Sequence, residues 1–243
     1  EANTTGFQNV AVGSLALITN TTGQENTAVG YKAGICTTTG CGITAIGMCA
    51  LHCHTTGGDN NAVGMCSQFT TTTGFGNNSM GHKSMELNTT GGSNVAIGEQ
   101  SLRRNTTACN NVAVGTEALC ANTTATENTA IGYKALKANT TGAANTAVGI
   151  YALLDATTSA NNTAVGVEAL QNVTTGTGTN VGIGRSAGES LTDGCCNTMI
   201  GFKAGNVITT GDHNIMIGSC SCGGSSNAGN QSVIGFRVQG ADN

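Results

Sequence analysis

Over 243 residues the chain uses only 3% aromatic and 9% charged residues, 37 glycines and no proline, which excludes a conventional globular core beneath a charged surface. At 38% hydrophobic it is too apolar for a disordered Gly/Thr chain. With 9 Lys and Arg against 13 Asp and Glu it has no basic stripe for nucleic acid, and no apolar run reaches the length of a membrane span.

The opening EANTTG stands in mid-repeat and reads as the start of a mature or excised piece. The first full phrase closes at Gly13, and its glycine returns at Gly30, Gly47, Gly64, Gly81, Gly98, Gly115, Gly132, Gly149 and Gly166, each 17 residues on. One step of 18 leads to Gly184 through the stretch TTGTGTN, and 17 resumes at Gly201, Gly218 and Gly235. These 14 copies leave no unique domain. Residues 1–243 read as one continuous repeat domain, with 236–243 (FRVQGADN) as an end cap or connector.

Each copy predicts the same elements in the same order. The residue before the glycine is β-branched or Met (Val12, Ile46, Met80, Ile97, Ile234), the look of an inward-facing strand position. Ala precedes it in many copies (Ala11, Ala28, Ala45), and a second small residue follows three after the glycine (Ala16, Ala33, Ser67), often with Leu behind it (Leu17, Leu51, Leu102). A five-residue apolar strand, a glycine bend, a second short strand and an NTTG turn make one rung. The recurring glycines and NTTG interrupt any helix. The fold class is therefore all-β, a single parallel β-solenoid of about 14 rungs stacked ~4.8 Å apart. Like residues then form ladders, Asn at Asn26, Asn60, Asn77 and Asn94 and Thr at Thr21, Thr38, Thr55 and Thr72.

Cysteine departs most from the repeat. Of 11 cysteines, Cys36 and Cys53 share one phase on neighbouring rungs, as do Cys49 and Cys66, and rung spacing lies inside the Cα window of a disulfide. Cys36 with Cys41 is a competing pairing. Further along, Cys109 and Cys120 flank NNVAVGTEAL and are candidates to meet across the turn side. Cys195 pairs with Cys220 or Cys222 near the end. Such density predicts an oxidising, extracellular compartment, and the odd number leaves one thiol free or joined to another chain. CALHCH (Cys49 to His54) is one residue too long for a haem-attachment motif, and its cysteines have partners on adjacent rungs, so disulfides are read in preference to a metal or a haem. GGDNNAVG at 57–64 lacks the recurring Asp of a calcium-binding roll. No cofactor is expected.

The phrase N-[TV]-A-[VI]-G followed by x-x-A-L is similar to the head repeat of YadA-like trimeric autotransporter adhesins. With Y-x-A-L and NTTG, as in NTAIGYKALKANTTGAANTAVG (Asn128 to Gly149), it resembles still more the repeats of phage and giant-virus tail-fibre-type proteins. The likeness runs from Asn9 to Gly235. It implies a left-handed parallel β-roll, surface exposure, trimerisation, and adhesive or fibre-forming use. The 17-residue unit is longer than the autotransporter one, and the cysteines are additions to it.

Catalysis finds no support: His52, His54, His82 and His213 approach no Ser or carboxylate in a triad-like pattern, and the regular copies leave no long loops. The expected function is an extracellular structural protein, a subunit of a self-assembling fibre, with itself as partner and no nucleic acid or membrane insertion. The alternative is a trimeric adhesin or tail-fibre shaft, joined through its Ala ladders and binding a surface receptor or glycan. Ice binding is a minor alternative, because the paired Thr of NTT should point to opposite faces. The NTT turns are also glycosylation sequons, at Asn20, Asn88, Asn105, Asn122 and Asn139, although turn and ladder geometry explains those asparagines without a glycan.

Overall fold

The structure, a computed structural model, describes residues 3–176 and 178–241. It divides into two compact units, Glu1–Thr124 and Ala125–Asn243. In the first unit seven strands follow in chain order: β1 Val10–Val12, β2 Thr27–Val29, β3 Thr44–Ile46, β4 Asn61–Val63, β5 Asn78–Met80, β6 Val95–Ile97 and β7 Val112–Val114. Each pairs in parallel with the next, offset by one repeat, so that Ala28 lies against Ala45 and Ala96 against Ala113. The second unit repeats this with β8 Thr129–Ile131, β9 Thr146–Val148, β10 Thr163–Val165, β11 Val181–Ile183, β12 Thr198–Ile200, β13 Ile215–Ile217 and β14 Ser232–Ile234. Each unit is an all-β parallel solenoid with one strand per coil, and coils are numbered here by their strands. The extra residue of TTGTGTN falls between β10 and β11, where Thr163 pairs with Val181. Thr177 within it, and the last two residues of the cap or connector read at 236–243, lie outside the described residues.

Two expectations are corrected. First, each coil holds one three-residue strand instead of two longer ones. After the glycine the chain runs through consecutive turns, as at 14–19, with left-handed backbone two and four residues on: Leu15 at φ 64° and Leu17 at φ 49° in the first coil. Second, the β-branched residue before the glycine faces outward, and the Ala before it faces in. Ala28, Ala45, Ala62, Ala96 and Ala113 are fully buried, while Val12, Ile46 and Ile97 are exposed. The reason is the width of the coil. Leu51, Leu102, Leu136 and Leu170, also fully buried, reach across from the turn segment and leave little room opposite them. At β11, where Gly182 stands in the Ala column, an added Cβ would lie 2.6 Å from Leu170 Cγ.

The predicted ladders are present, bonded more closely to backbone than to their own kind. Asn77 shows the pattern. Its Oδ1 accepts from the backbone N and Nδ2 of Asn94, and its Nδ2 donates to Gly91 O at 2.8 Å. Asn162, Asn180 and Asn197 repeat this in the second unit. Each Thr of the second ladder donates its hydroxyl to the next coil's Thr carbonyl, Thr21 to Thr38 at 3.0 Å and Thr38 to Thr55 at 3.2 Å. The same Thr38 carbonyl also accepts the backbone N–H groups of Thr21, Thr22 and Gly23. The ladder amides, which would otherwise be costly to bury, are thus satisfied coil by coil, while Asn20 Oδ1 and Gln68 Oε1 elsewhere in the interior have no partner.

The bend glycine is required. Gly30 has φ 136°, and a Cβ there would lie 2.6 Å from Gly47 O, so no side chain enters this column.

Candidate functional site

The surface of each coil is built from columns on either side of the glycine. On one side the outward residues of the strand form a row of Val and Ile. On the other, one residue past the glycine, stand Tyr31, Met48 and Met65 in the first unit and Tyr133, Ile150 and Phe202 in the second, all exposed. The glycine column between them has no side chains, and the column past it is mixed: Ser14, His82, Glu99 and Thr116 share it in the first unit and Arg185 and Ser219 in the second, so the apolar flank is continuous only over coils 2–4 and 8–10. Lys32, Lys134 and Lys203, the next residues on, set their ammonium groups over Tyr31, Tyr133 and Phe202 at 4.8–5.6 Å from the ring centroids.

The alanine route to trimerisation is closed. Beyond the first coil both Ala columns lie inside the coil of a single chain, so the Ala ladders are not a surface between chains. The NTT pairs also divide by environment. Thr21, Thr38 and Thr55 are half-buried in the ladder, and Thr22, Thr39 and Thr56 beside them are exposed.

Of the cysteine pairings, the structure brings two together as stacked neighbours. Cys36 and Cys53 occupy the same phase of coils 2 and 3, and Cys49 and Cys66 the same phase of coils 3 and 4. The proximity is felt electrostatically: burial pushes the Cys53 and Cys66 thiols up, and the neighbouring Cys36 and Cys49 push in the same direction. Cys53 Sγ also lies 3.5 Å from His52 Nδ1, and His52 stacks on Phe69 of the next coil at 4.6 Å. The remaining candidates stand in separate columns. Cys109 receives the N–H of Gly92, whereas Cys120 sits beside Arg103. Cys195 takes Asp212 Oδ1 on its N–H, Cys220 donates its N–H to Phe202 O, and Cys222 bonds to Val238 O. Cys41 Sγ points back to Thr39 O at 3.4 Å. No disulfide is formed among the described residues.

The sequon asparagines face inward. Asn20, Asn88, Asn105, Asn122 and Asn139 are buried, and Nδ2, the atom that would carry a glycan, donates within the coil: Asn20 and Asn139 to the carbonyls of Gly23 and Gly142, Asn122 to Asn105 Oδ1. In the folded chain that atom is closed to a transferase. Asn3, Asn161 and Asn230, at sequons elsewhere, are exposed.

Sequence reasoning missed an interior polar cluster in coils 4 and 5. Ser67 Oγ lies 2.6 Å from Ser79 Oγ and 3.0 Å from Ser84 Oγ, and Gln68 Nε2 donates to Ser79 Oγ at 2.9 Å. The signal was available, since Ser and Gln replace Ala and Leu at these phases. His54 is likewise a replacement, standing where other coils carry Asn. It is fully buried, with Nδ1 3.3 Å from Thr37 Oγ1 and Nε2 3.4 Å from Asn60 Nδ2.

Compared with family models, curated proteins and solved structures, the chain gives no match.

Proposed function

We propose that this chain is a non-enzymatic structural protein, a subunit of an extracellular fibre or filament that assembles from copies of itself. The observation that carries this reading is the outward row of Val and Ile beside the glycine column. Ile97 is 41% exposed and Ile131 40% exposed, and the same position recurs in every coil of each unit. A solenoid needs β-branched residues there for strand propensity, but Thr would serve as well at lower risk of association. Aliphatic side chains repeated on an outer sheet face favour a second sheet packed on the first. The Cys36 and Cys53 pair, stacked between coils, suits a staple that stiffens such a subunit.

Light scattering of the native chain, with and without reductant, tests this. A broad species far above 24.1 kDa is expected, and Ile97→Lys with Ile131→Lys should return it to one chain while circular dichroism stays unchanged. A sharp species of three chains would instead favour the adhesin or tail-fibre shaft. A monomer under both conditions would remove both readings.

A further inference from the structure

Cys49 and Cys66 have matched backbones, with φ 56° and 55°. Their N–H groups are anchored alike, Cys49 to Tyr31 O at 2.9 Å and Cys66 to Met48 O at 3.0 Å. Residues with the same dihedrals in stacked coils are related by one coil step, so in like rotamers their Cα, Cβ and Sγ atoms are each separated by about 4.8 Å. A disulfide asks the Cβ atoms to close to about 3.8 Å. Two collinear metal–sulfur bonds of about 2.3 Å instead span about 4.6 Å, the separation the column already sets.

The neighbouring side chains point the same way. Gly-Met-Cys occurs at 47–49 and again at 64–66, and nowhere else in the chain. Met48 and Met65 are 45% and 42% exposed, an unusual position for two thioethers one coil apart. Thiolate and thioether together are the donors that select soft monovalent copper. Among the described residues no three His, Cys, Asp or Glu side chains converge as a metal site, so a harder, four-coordinate ion lacks a ligand set here.

We propose that Cys49 and Cys66, flanked by Met48 and Met65, bind one soft monovalent cation of the Cu(I) class, bridging coils 3 and 4. Each thiol releases its proton to solvent as its sulfur binds, and no electron is transferred. Two adjacent thiolates repel, and a cation between them removes that penalty. Because binding displaces the two thiol protons, it weakens as pH falls. A bound ion also holds the two sulfurs apart and blocks a disulfide between them. This proposal is independent of the fibre reading.

The test is a titration of the reduced 243-residue chain with Cu(I) under anaerobic conditions, against bicinchoninate as competing chelator. One tightly held equivalent is expected, weakened at least ~100-fold in C49S/C66S and about tenfold in M48L/M65L. C36S/C53S should hold the ion as the native chain does. The proposal is overturned if C36S/C53S removes the site and C49S/C66S does not, or if native and C49S/C66S chains bind alike. Because serine variants can unfold, X-ray absorption on the copper-loaded native chain gives a second reading. A nearest shell of sulfur supports the site, and a shell of nitrogen or oxygen sinks it.

Discussion

In coils 1–12 the residues two and four positions past the glycine carry left-handed backbone, a conformation that penalises β-branched side chains most. The sequence respects this throughout. In coils 1–12 the inner of the two positions holds Leu, Met85, Gln68 or glycine, with Cys222 and Gln239 in the last two coils, and among described non-glycine residues of positive φ only Thr179 is β-branched, beside the 18-residue step. Leu102 (φ 50°) is fully buried, so Leu102→Ile keeps volume and hydrophobicity yet is expected to cost about 2–3 kcal/mol in strain and repacking. Leu102→Met, the residue that Met85 already places in this column, should cost under about 1.5 kcal/mol. Denaturant midpoints of the two variants check this, and equal losses would show that the turn relaxes. His54 gives a second test at this scale. Desolvation by burial lowers its pKa from 6.5 to about 4, against a backbone hydrogen bond with Gly57 that raises it. As pH falls below 6.5 the unfolded chain takes up a proton that the folded chain refuses until about 4. Stability is therefore complete above that window and is lost downward through it, by about 3 kcal/mol in all. His52, lowered by burial and by Lys32, adds in the same direction. His54→Asn should flatten the unfolding midpoint between pH 6.5 and about 5, above the range where carboxylates titrate.

At the scale of the coil, interior volume is conserved across facing columns. Where β12 puts Met199 in the Ala column, the Leu column carries glycine: a Cβ at Gly205 would lie 2.5 Å from Met199 Sδ, and one at Gly188 2.7 Å from it. Gly34, in the Leu column after β2, is crowded differently: a Cβ there would lie 3.0 Å from Leu17 Cδ2 and at ordinary contact, 3.6 Å, from Ile43 Cδ1, which stands in the ladder-Asn column. Met199→Ala should cost about 2–5 kcal/mol through the cavity it leaves. Gly205→Leu alone should also destabilise, by overpacking. The double variant rebuilds the common Ala and Leu arrangement and should recover most of both losses, a coupling that a double-mutant cycle reads directly. Additive losses would mean that the two side chains do not share one space. The same packing explains what was legible in the sequence. The 17-residue period, the Asn and Thr ladders and the two stacked cysteine pairs follow from spacing alone, because equal phase means adjacency in any solenoid. Which face of the strand is buried did not follow. Val12 and Ala11 are both periodic, and β-branched residues usually mark an interior, but here the interior is filled from the turn segment by residues such as Leu51. The clue lay in the Leu column's lack of Val and Ile, a mark of left-handed turns. The cost of glycosylating Asn88 was hidden too, since a sequon shows its letters but not which way its amide points.

Taken as a whole molecule, the chain carries little charge. Charged residues are 9% of the total and the net charge is −4, and in the first unit His82 pairs with Glu99, and Lys83 and Arg103 pair with Glu86. If copies join through the Val and Ile rows, the driving force is hydrophobic, and it weakens on cooling because apolar hydration is entropic near room temperature. Charge pairing would behave differently, since exposed pairs are screened as salt rises. Light scattering should therefore show the assemblies shrinking as the temperature falls from ~37 to ~4 °C and changing little between about 0.05 and 0.5 M salt. Growth on cooling with loss in salt would point instead to the lysines set over Tyr31, Tyr133 and Phe202, whose ammonium groups would then be the contacts between chains. Ile97→Lys separates the two cases in one step: it adds a cation to the row and removes an aliphatic contact, so it dissolves a hydrophobic assembly and leaves intact one held through those lysines.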